Sequence, residues 1–236
     1  MQIFHTTDIS ANRLVLHDDE ARHCSQVLRK KTGDTIDVFD GNGTHYTAVL
    51  TEITKKNCFL SIENAVFYPK NDALLHIACC PTKNIERFEW FLEKATEIGI
   101  DTVTPLLTQN CERRQIRNDR LDKIVLAAMK QSLRYFAPKI KELTPFEAFL
   151  IENKDFEGQK LIAHCHEDGT KMPFLSLAQA PKNTLVLIGP EGDFTKKEVE
   201  MALQHGFTAI SLGAARLRTE TAAIVACHTF NLFLTG

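Results

Sequence analysis

Residues 213–222 read GAARLRTETA and place Arg216, Arg218 and Glu220 among small side chains at the start of an apolar stretch with helical spacing. A helix N-terminus carries partial positive charge and favours anions. Two arginines there are mismatched unless a phosphate, a carboxylate or Glu220 pairs with them. The chemistry they offer is fixed positive charge aimed at anionic oxygens; the alternative is an Arg218–Glu220 surface pair. Residues 189–194, GPEGDF, put Gly189 and Gly192 around Pro190-Glu191. The glycines let backbone approach a ligand closely and the proline stiffens the turn. The same segment also reads as a plain turn before a helix opened by the capping box Thr195-x-x-Glu198. Residues 164–169, HCHEDG, bring His164 and His166 to either side of Cys165, with no second ligand pair nearby to make a metal site. None of these segments is GxGxxG or GxxxxGK[ST], so a dinucleotide fold or a phosphate-cradling loop is not indicated.

Each of the three segments directly follows an apolar run that reads as a buried strand: residues 161–163, 185–188 and 210–212. Further runs at 74–80 and 103–107 alternate with helical patterns at 84–99, 121–133, 195–205 and 219–234. Alternation of this kind predicts an α/β fold whose largely parallel sheet is covered on both faces. In such sheets ligands bind beyond the carboxyl ends of the strands, where the three segments fall. The first 70 residues instead predict short strands at 35–39, 45–54 and 58–62, separated by DGNG and KKN turns, with one short helix within 19–28. That spacing predicts a small barrel or sandwich. The polar break Pro69-Lys70-Asn71-Asp72 divides the chain into domains 1–70 and 73–236.

The chain has 236 residues, with 28 basic and 30 acidic side chains and a net charge of −2. Its 44% hydrophobic and 25% charged content excludes a disordered, collagenous or rod-like chain. The net value hides an uneven distribution. Residues 111–141 carry nine basic side chains against three acidic ones, a net +6, while residues 142–169 carry a net −5. Arg113, Arg114, Arg117 and Arg134 lie in the basic block, and Arg29-Lys30-Lys31 adds a basic turn. Such groups contact phosphates without reading sequence, so these seven residues are candidate contacts to a nucleic-acid backbone. The seven cysteines are scattered, with no CxxC pair, and predict reduced thiols and no bound metal. No apolar run approaches the roughly 18–20 residues that span a bilayer, and no leader pattern opens the chain. A cytoplasmic protein with no membrane partner is expected.

The segments LIGPEGDFTKKEV (187–199) and SLGAARLRTETA (211–222) closely resemble the two C-terminal signatures of the RsmE family, 16S ribosomal RNA uridine N3-methyltransferases of the SPOUT superfamily. KATEIG (94–99), Pro105 in TVTPLL, KQSLR (130–134) and HCSQVLRKKTGD (23–34) are similar to further stretches of that family, in order. The resemblance covers nearly the whole chain. It implies a PUA-like β-barrel followed by a SPOUT domain with a trefoil knot, a rare exception to the rule against threaded chains. It also implies a homodimer, and S-adenosylmethionine bound by the knot loops. Carried onto this sequence, Ile188, Gly189, Glu191, Gly192, Leu212, Gly213, Arg216, Leu217 and Arg218 form the cofactor cleft, with a looser match at His164 and His166. The sequence departs from the family at Asp193, where a second glycine is common, and at Lys130, where an acidic residue is common.

The implied reaction methylates N3 of a uridine in the RNA of the small ribosomal subunit. N3 becomes nucleophilic when its proton leaves and charge spreads onto the two flanking carbonyl oxygens. The site therefore needs a proton acceptor and donors aimed at those oxygens. Arg216 and Arg218 are the candidate donors, and Glu191 and Glu220 the candidate acceptors. The alternatives are a related SPOUT enzyme acting on transfer RNA or a ribose 2′-OH, and a non-catalytic RNA-binding assembly factor. Intact glycines and the TETA segment weigh against the last.

Overall fold

A computed structural model describes residues 2–167, 171–178 and 182–234. Two compact units emerge: one from residues 1–70 with 129–137, the other from 71–128 with 138–236.

The first unit is a six-stranded sheet in the order β1-β4-β5-β6-β3-β2. Its strands are β1 (Ile3–His5), β2 (Ile9–Ser10), β3 (Arg13–His17), β4 (Thr35–Phe39), β5 (Thr44–Ile53) and β6 (Asn57–Phe67). The DGNG turn joins β4 to β5, and Asp40 Oδ1 accepts from the backbone of Asn42 and Thr44 at 2.7 and 3.0 Å, the local bond that makes aspartate a turn residue. Register shifts at Thr47/Ala48 and Leu50/Glu52 bend the long β5–β6 hairpin. Leu14, Leu16, Val38, Ala48, Leu50 and Leu60 are fully buried in one core. The expected single helix is α1 (Asp18–Arg22) running into a π-helical turn (His23–Val27), a segment that buries Ala21 and Cys24.

Residues 129–137 pack in this unit, although they lie far beyond the Pro69–Asp72 break. Lys130 is paired with Glu20, both side chains largely buried. Phe136 bridges to Asn42, and the backbone N–H groups of Gly43 and Ala137 bond to Tyr135 and Gly41. Gly43 sits at φ +101°, and a Cβ there would lie 2.2 Å from the Phe136 ring. Only glycine permits this packing.

The second unit is an all-parallel sheet in the order β10-β8-β7-β13-β11-β14-β12, with β9 also on β8. Its central strands are β7 (Leu75–Cys79), β8 (Thr102–Leu107), β11 (Gln159–Ala163), β13 (Thr184–Ile188) and β14 (Thr208–Ser211). The short strands β9 (Lys139–Ile140), β10 (Thr144–Pro145) and β12 (Met172–Pro173) complete it. Every residue of β7 and β13 is buried, as a sheet covered on both faces requires. One face carries Ala78, Leu185 and Leu187 against α4 (Phe146–Glu152) and α6 (Lys196–Gln204). On the other, α2 (Ile85–Ile98) packs on α7 (Thr219–Asn231), where Cys227 Sγ meets Ala95 O and Asn231 Nδ2 donates to Gly99 O at 3.2 Å. Asn84 caps α2, and both bonds of the Thr195/Glu198 capping box are present at α6. Helix α3 (Asn118–Ser132) starts three residues before the expected 121 and ends before Leu133, which is left-handed at φ +56°. The short α5 (Phe174–Ala178) was not legible in the periodicity. All seven cysteines are free and all but Cys165 are buried. Burial pushes the Cys24 thiol up to about 12 and that of Cys79 further, so these thiols resist ionisation. No helix among the described residues is long and apolar enough to cross a membrane.

Candidate functional site

The carboxyl ends of β11, β13 and β14 open into one cleft of about 650 Å³ in the second unit. Register explains the convergence: Ala163 pairs with Ile188 and with Ile210, so all three strands end at the same level and release their loops side by side. The walls are the three segments singled out by sequence. From the first come His164, Cys165 and Glu167, from the second Ile188, Gly189, Pro190, Glu191 and Asp193, and from the third residues 211–219. Asp168 and Gly169 of the first segment lie outside the described residues.

Nearly every residue proposed for the cleft lines it: His164, Ile188, Gly189, Glu191, Leu212, Gly213, Arg216, Leu217 and Arg218. His166 and Gly192 stand behind the wall. His166 Nε2 lies 2.6 Å from the carbonyl oxygen of Phe194, and Asn110 Nδ2 donates to the carbonyl of Gly192 at 3.2 Å. Glu220 is 7% exposed and also lies off the wall. Its Oε1 is 3.9 Å from Arg87 Nε, and its buried Oε2 has no hydrogen-bond partner among the described residues. The Arg218–Glu220 surface pair is therefore not formed. Among the described residues neither the Arg216 nor the Arg218 side chain has a hydrogen-bond or ion-pair partner, and both residues are exposed on the cleft wall. Arg218 is the N-cap residue of α7 yet makes no capping bond. Two guanidinium groups next to a helix N-terminus add positive charge to the end of the cleft where α7 begins.

The loops are tied to one another by bonds that sequence did not expose. Thr219 Oγ1, buried, donates to the carbonyl of Gly189 at 3.0 Å and joins the third loop to the second. A Cβ on Gly189 would sit 3.0 Å from the Phe194 ring, which would have to give by a few tenths of an ångström to admit it. Asp193 occupies the left-handed region at φ +62°, where glycine is favoured. Its carboxylate accepts from the backbone of Cys165 at 2.7 Å and of Phe194 at 2.8 Å, joining the second loop to the first. Glu198 Oε1 accepts from the Gln109 backbone at 2.8 Å and Asn110 Nδ2 donates to the carbonyl of Asp193 at 3.0 Å, so the segment after β8 supports the same loop. Glu191 Oε1 accepts from the Lys83 backbone at 3.0 Å. Lys171, also on the wall, donates to the carbonyl of His164 at 2.8 Å. These partners are separated by up to 108 residues, and no local signal announces them.

The candidate RNA contacts fall into different situations. Arg113 spends its guanidinium on the carbonyls of Thr82 and Lys83 at 3.2 and 2.8 Å. Beside it Arg114 is exposed, and Lys83, Glu112, Arg113, Arg114 and Gln115 line a second hollow of about 350 Å³. Arg117 pairs with Asp119 at 2.7 Å, and Arg120 pairs with Glu89 at 2.6 Å. In the first unit Arg29, at φ +53°, and Lys31 are exposed, Lys30 is half-buried, and Arg134 is exposed. Among the described residues no cluster of three or more His, Cys, Asp or Glu side chains could hold a metal ion.

A family model described as RNA methyltransferase domain matches residues 69–231, and one described as RNA methyltransferase PUA domain matches residues 16–63. The ribosomal RNA small subunit methyltransferase E of Buchnera aphidicola subsp. Acyrthosiphon pisum is 31% identical over 236 residues, covering 95% of this chain and 90% of that protein. A probable rRNA-methyltransferase from Porphyromonas gingivalis superposes with a TM-score of 0.91 at 38% identity, covering 100% of this chain and 99% of that one. The ribosomal RNA small subunit methyltransferase E of Neisseria gonorrhoeae, solved bound to S-adenosyl methionine, superposes with a TM-score of 0.82 at 26% identity, covering 96% and 95%.

Proposed function

The chain belongs to the ribosomal RNA small subunit methyltransferase E family, and from that premise we propose that it transfers the methyl group of S-adenosylmethionine to N3 of a uridine in 16S ribosomal RNA. S-adenosylmethionine supplies an electrophilic methyl group on a sulfonium centre. The cleft fits that molecule. Its volume of about 650 Å³ is in the range of small-ligand sites. Backbone at Ile188, Gly189, Leu212 and Gly213 offers donors and acceptors for a nucleoside, and Glu167, Glu191 and Asp193 put negative charge where a cation and an amino group need it. A ligand without phosphates needs no phosphate-cradling loop, consistent with the sequence.

The observation that carries the reading is the pair Arg216 and Arg218, unpaired and exposed beside the cleft. Two arginine side chains left without a protein partner on one cleft wall are available to a ligand. Both can donate to the carbonyl oxygens of a uracil ring as its N3 proton leaves, which lowers the cost of the developing charge. Glu191 is the acid best placed to receive that proton, since its carboxylate lines the cleft and the Lys83 amide holds one of its oxygens. Glu220, buried in the first turn of α7 with one oxygen 3.9 Å from Arg87, does not face the cleft. Thr219, Asp193 and Asn110 keep the three loops in register, which is the positioning on which an in-line transfer depends. The first unit and the basic residues Arg29, Lys30, Lys31, Arg113, Arg114, Arg117 and Arg134 engage the RNA. The active form is a cytoplasmic homodimer, and the loops that line the cleft are the knot loops of the superfamily.

Deleting the gene and mapping methylated uridines in ribosomal RNA by mass spectrometry tests the reading. Loss of N3-methyluridine from 16S RNA, restored by the intact gene and not by the Arg218→Ala variant, is expected. An unchanged N3-methyluridine level refutes it.

A further inference from the structure

The first unit carries an aromatic cluster that its core does not use. Strand β6 is eleven residues long, and its last five are all exposed. Phe67 is 63% exposed and Tyr68 is 42% exposed, although burial is the favourable state for both rings. Neither belongs to the core built from β3, β4, β5 and β6. These rings are nevertheless held in place. His45, Tyr135 and Tyr68 form a column, with centroids 5.4 and 4.6 Å apart and planes inclined by 33° and 28°. The base of that column is anchored by a 2.9 Å contact between His45 and Asp37. Phe67 packs edge-on against Phe136, which Gly43 accommodates. Tyr68 is covered on one side by Tyr135 and ends the column. Two cations border the cluster: Lys70 Nζ is 5.0 Å from the centre of the Phe136 ring, and Arg134 is exposed two residues before Phe136.

We infer that Tyr68 and Phe67 form a stacking platform for an unpaired base of the RNA substrate. The inference rests on the RNA methyltransferase reading for the identity of the polymer, and the ring geometry supplies the site. A planar base extends the His45–Tyr135–Tyr68 column as its fourth member. Stacking on aromatic side chains is the usual way single-stranded RNA is held, because every base has a π-face. Lys70 meets a flanking phosphate, a charge that a purely apolar protein partner would not complement. Rings fixed before binding lose little rotational freedom when the base arrives.

The full-length Trp90→Phe/Tyr68→Trp variant places the chain's only tryptophan on the platform. Titrating it with a short oligouridylate should quench its emission saturably, and a blunt RNA duplex of equal length should quench it far less. In the otherwise native protein Tyr68→Ala should weaken oligouridylate binding about tenfold, while Tyr68→Phe stays within twofold. Emission that does not change while anisotropy reports bound oligouridylate overturns the platform. Native affinity in folded Tyr68→Ala does the same. A shift of Tyr68→Ala in sedimentation velocity with RNA affinity unchanged also overturns it and assigns the face to a second copy of the chain. Methyl transfer by the native protein to small ribosomal subunits separates the two readings. Transfer without quenching removes the platform alone, whereas quenching without transfer leaves the platform and removes the proposed reaction.

Discussion

Replacing Asp193 separates two contributions that the structure superimposes at one residue. The backbone there is left-handed, a conformation that costs an ordinary L-residue about 1 kcal/mol. The carboxylate offsets that cost by accepting from the Cys165 and Phe194 amides at 2.7 and 2.8 Å. Net contributions of about 1 kcal/mol per bond apply, because the site is only partly shielded from water. Asp193→Ala loses both bonds and keeps the strain, so a destabilisation of about 2 kcal/mol is expected. Asp193→Gly loses the same bonds but relieves the strain, and about 1 kcal/mol of destabilisation remains. Asp193→Asn retains one acceptor and tolerates the left-handed region, and should fall closest to the native protein. The order of denaturation midpoints is therefore Asp, Asn, Gly, Ala. Because the Cys165 bond positions the first loop on the cleft, Asp193→Gly should also weaken S-adenosylmethionine binding about fivefold in calorimetry, the equivalent of about 1 kcal/mol of lost preorganisation. Equal midpoints for Gly and Ala would refute the backbone argument. A glycine variant as stable as the native protein, with native cofactor affinity, would refute the carboxylate argument.

Arg218→Ala should fold normally, since its guanidinium has no partner among the described residues, and should lower methyl transfer by about 10²-fold, the size of losing one preorganised donor; native turnover with purified small subunits removes Arg218 from the chemistry. Gly43→Ala should cost about 3 kcal/mol in urea denaturation, combining the left-handed backbone with the clash on Phe136. A loss below about 1 kcal/mol would mean that residues 133–137 are not held against the turn. His76 is buried beside Thr104, and burial holds its pKa down at about 3, well below the 6.5 of a free imidazole. Its folded form is neutral, so the unfolded chain takes up the proton first: this contribution to stability is complete above about pH 6.5 and declines by about 1.4 kcal/mol per pH unit as pH falls toward 3. His76→Gln should flatten the acid limb of the stability curve between those values, and an unchanged limb argues against a neutral buried imidazole.

Tertiary structure accounts for what was not legible in the chain. The alternation of buried strands and amphipathic helices was readable from residue 73 onward because period 2 and period 3.6 leave different apolar spacings. The capping box at Thr195 was readable because both of its partners lie within four residues. The cleft was readable because strand ends and glycine-containing loops are adjacent in sequence, and a parallel sheet brings those ends to one edge. Residues 129–137 fall beyond the Pro69–Asp72 break in sequence, yet they pack with the first unit, through Lys130 on Glu20 and Phe136 over Gly43. Neither contact has a local signature. The same limit hid Glu220, whose motif placed it beside Arg218 while the start of α7 turns it toward Arg87.

Sequence alone determined the central strands and the long helices, where the three cleft loops emerge and which of them carry charge, since these follow from local backbone preference and the spacing of apolar residues. Folding decided which charges remain unpaired. Arg113, Arg117, Arg120 and Lys130 are spent on carbonyls and carboxylates, while Arg216 and Arg218 stay open on the cleft. An ion pair depends on two side chains meeting in space, and residues as far apart as 20 and 130 meet only after the chain has folded.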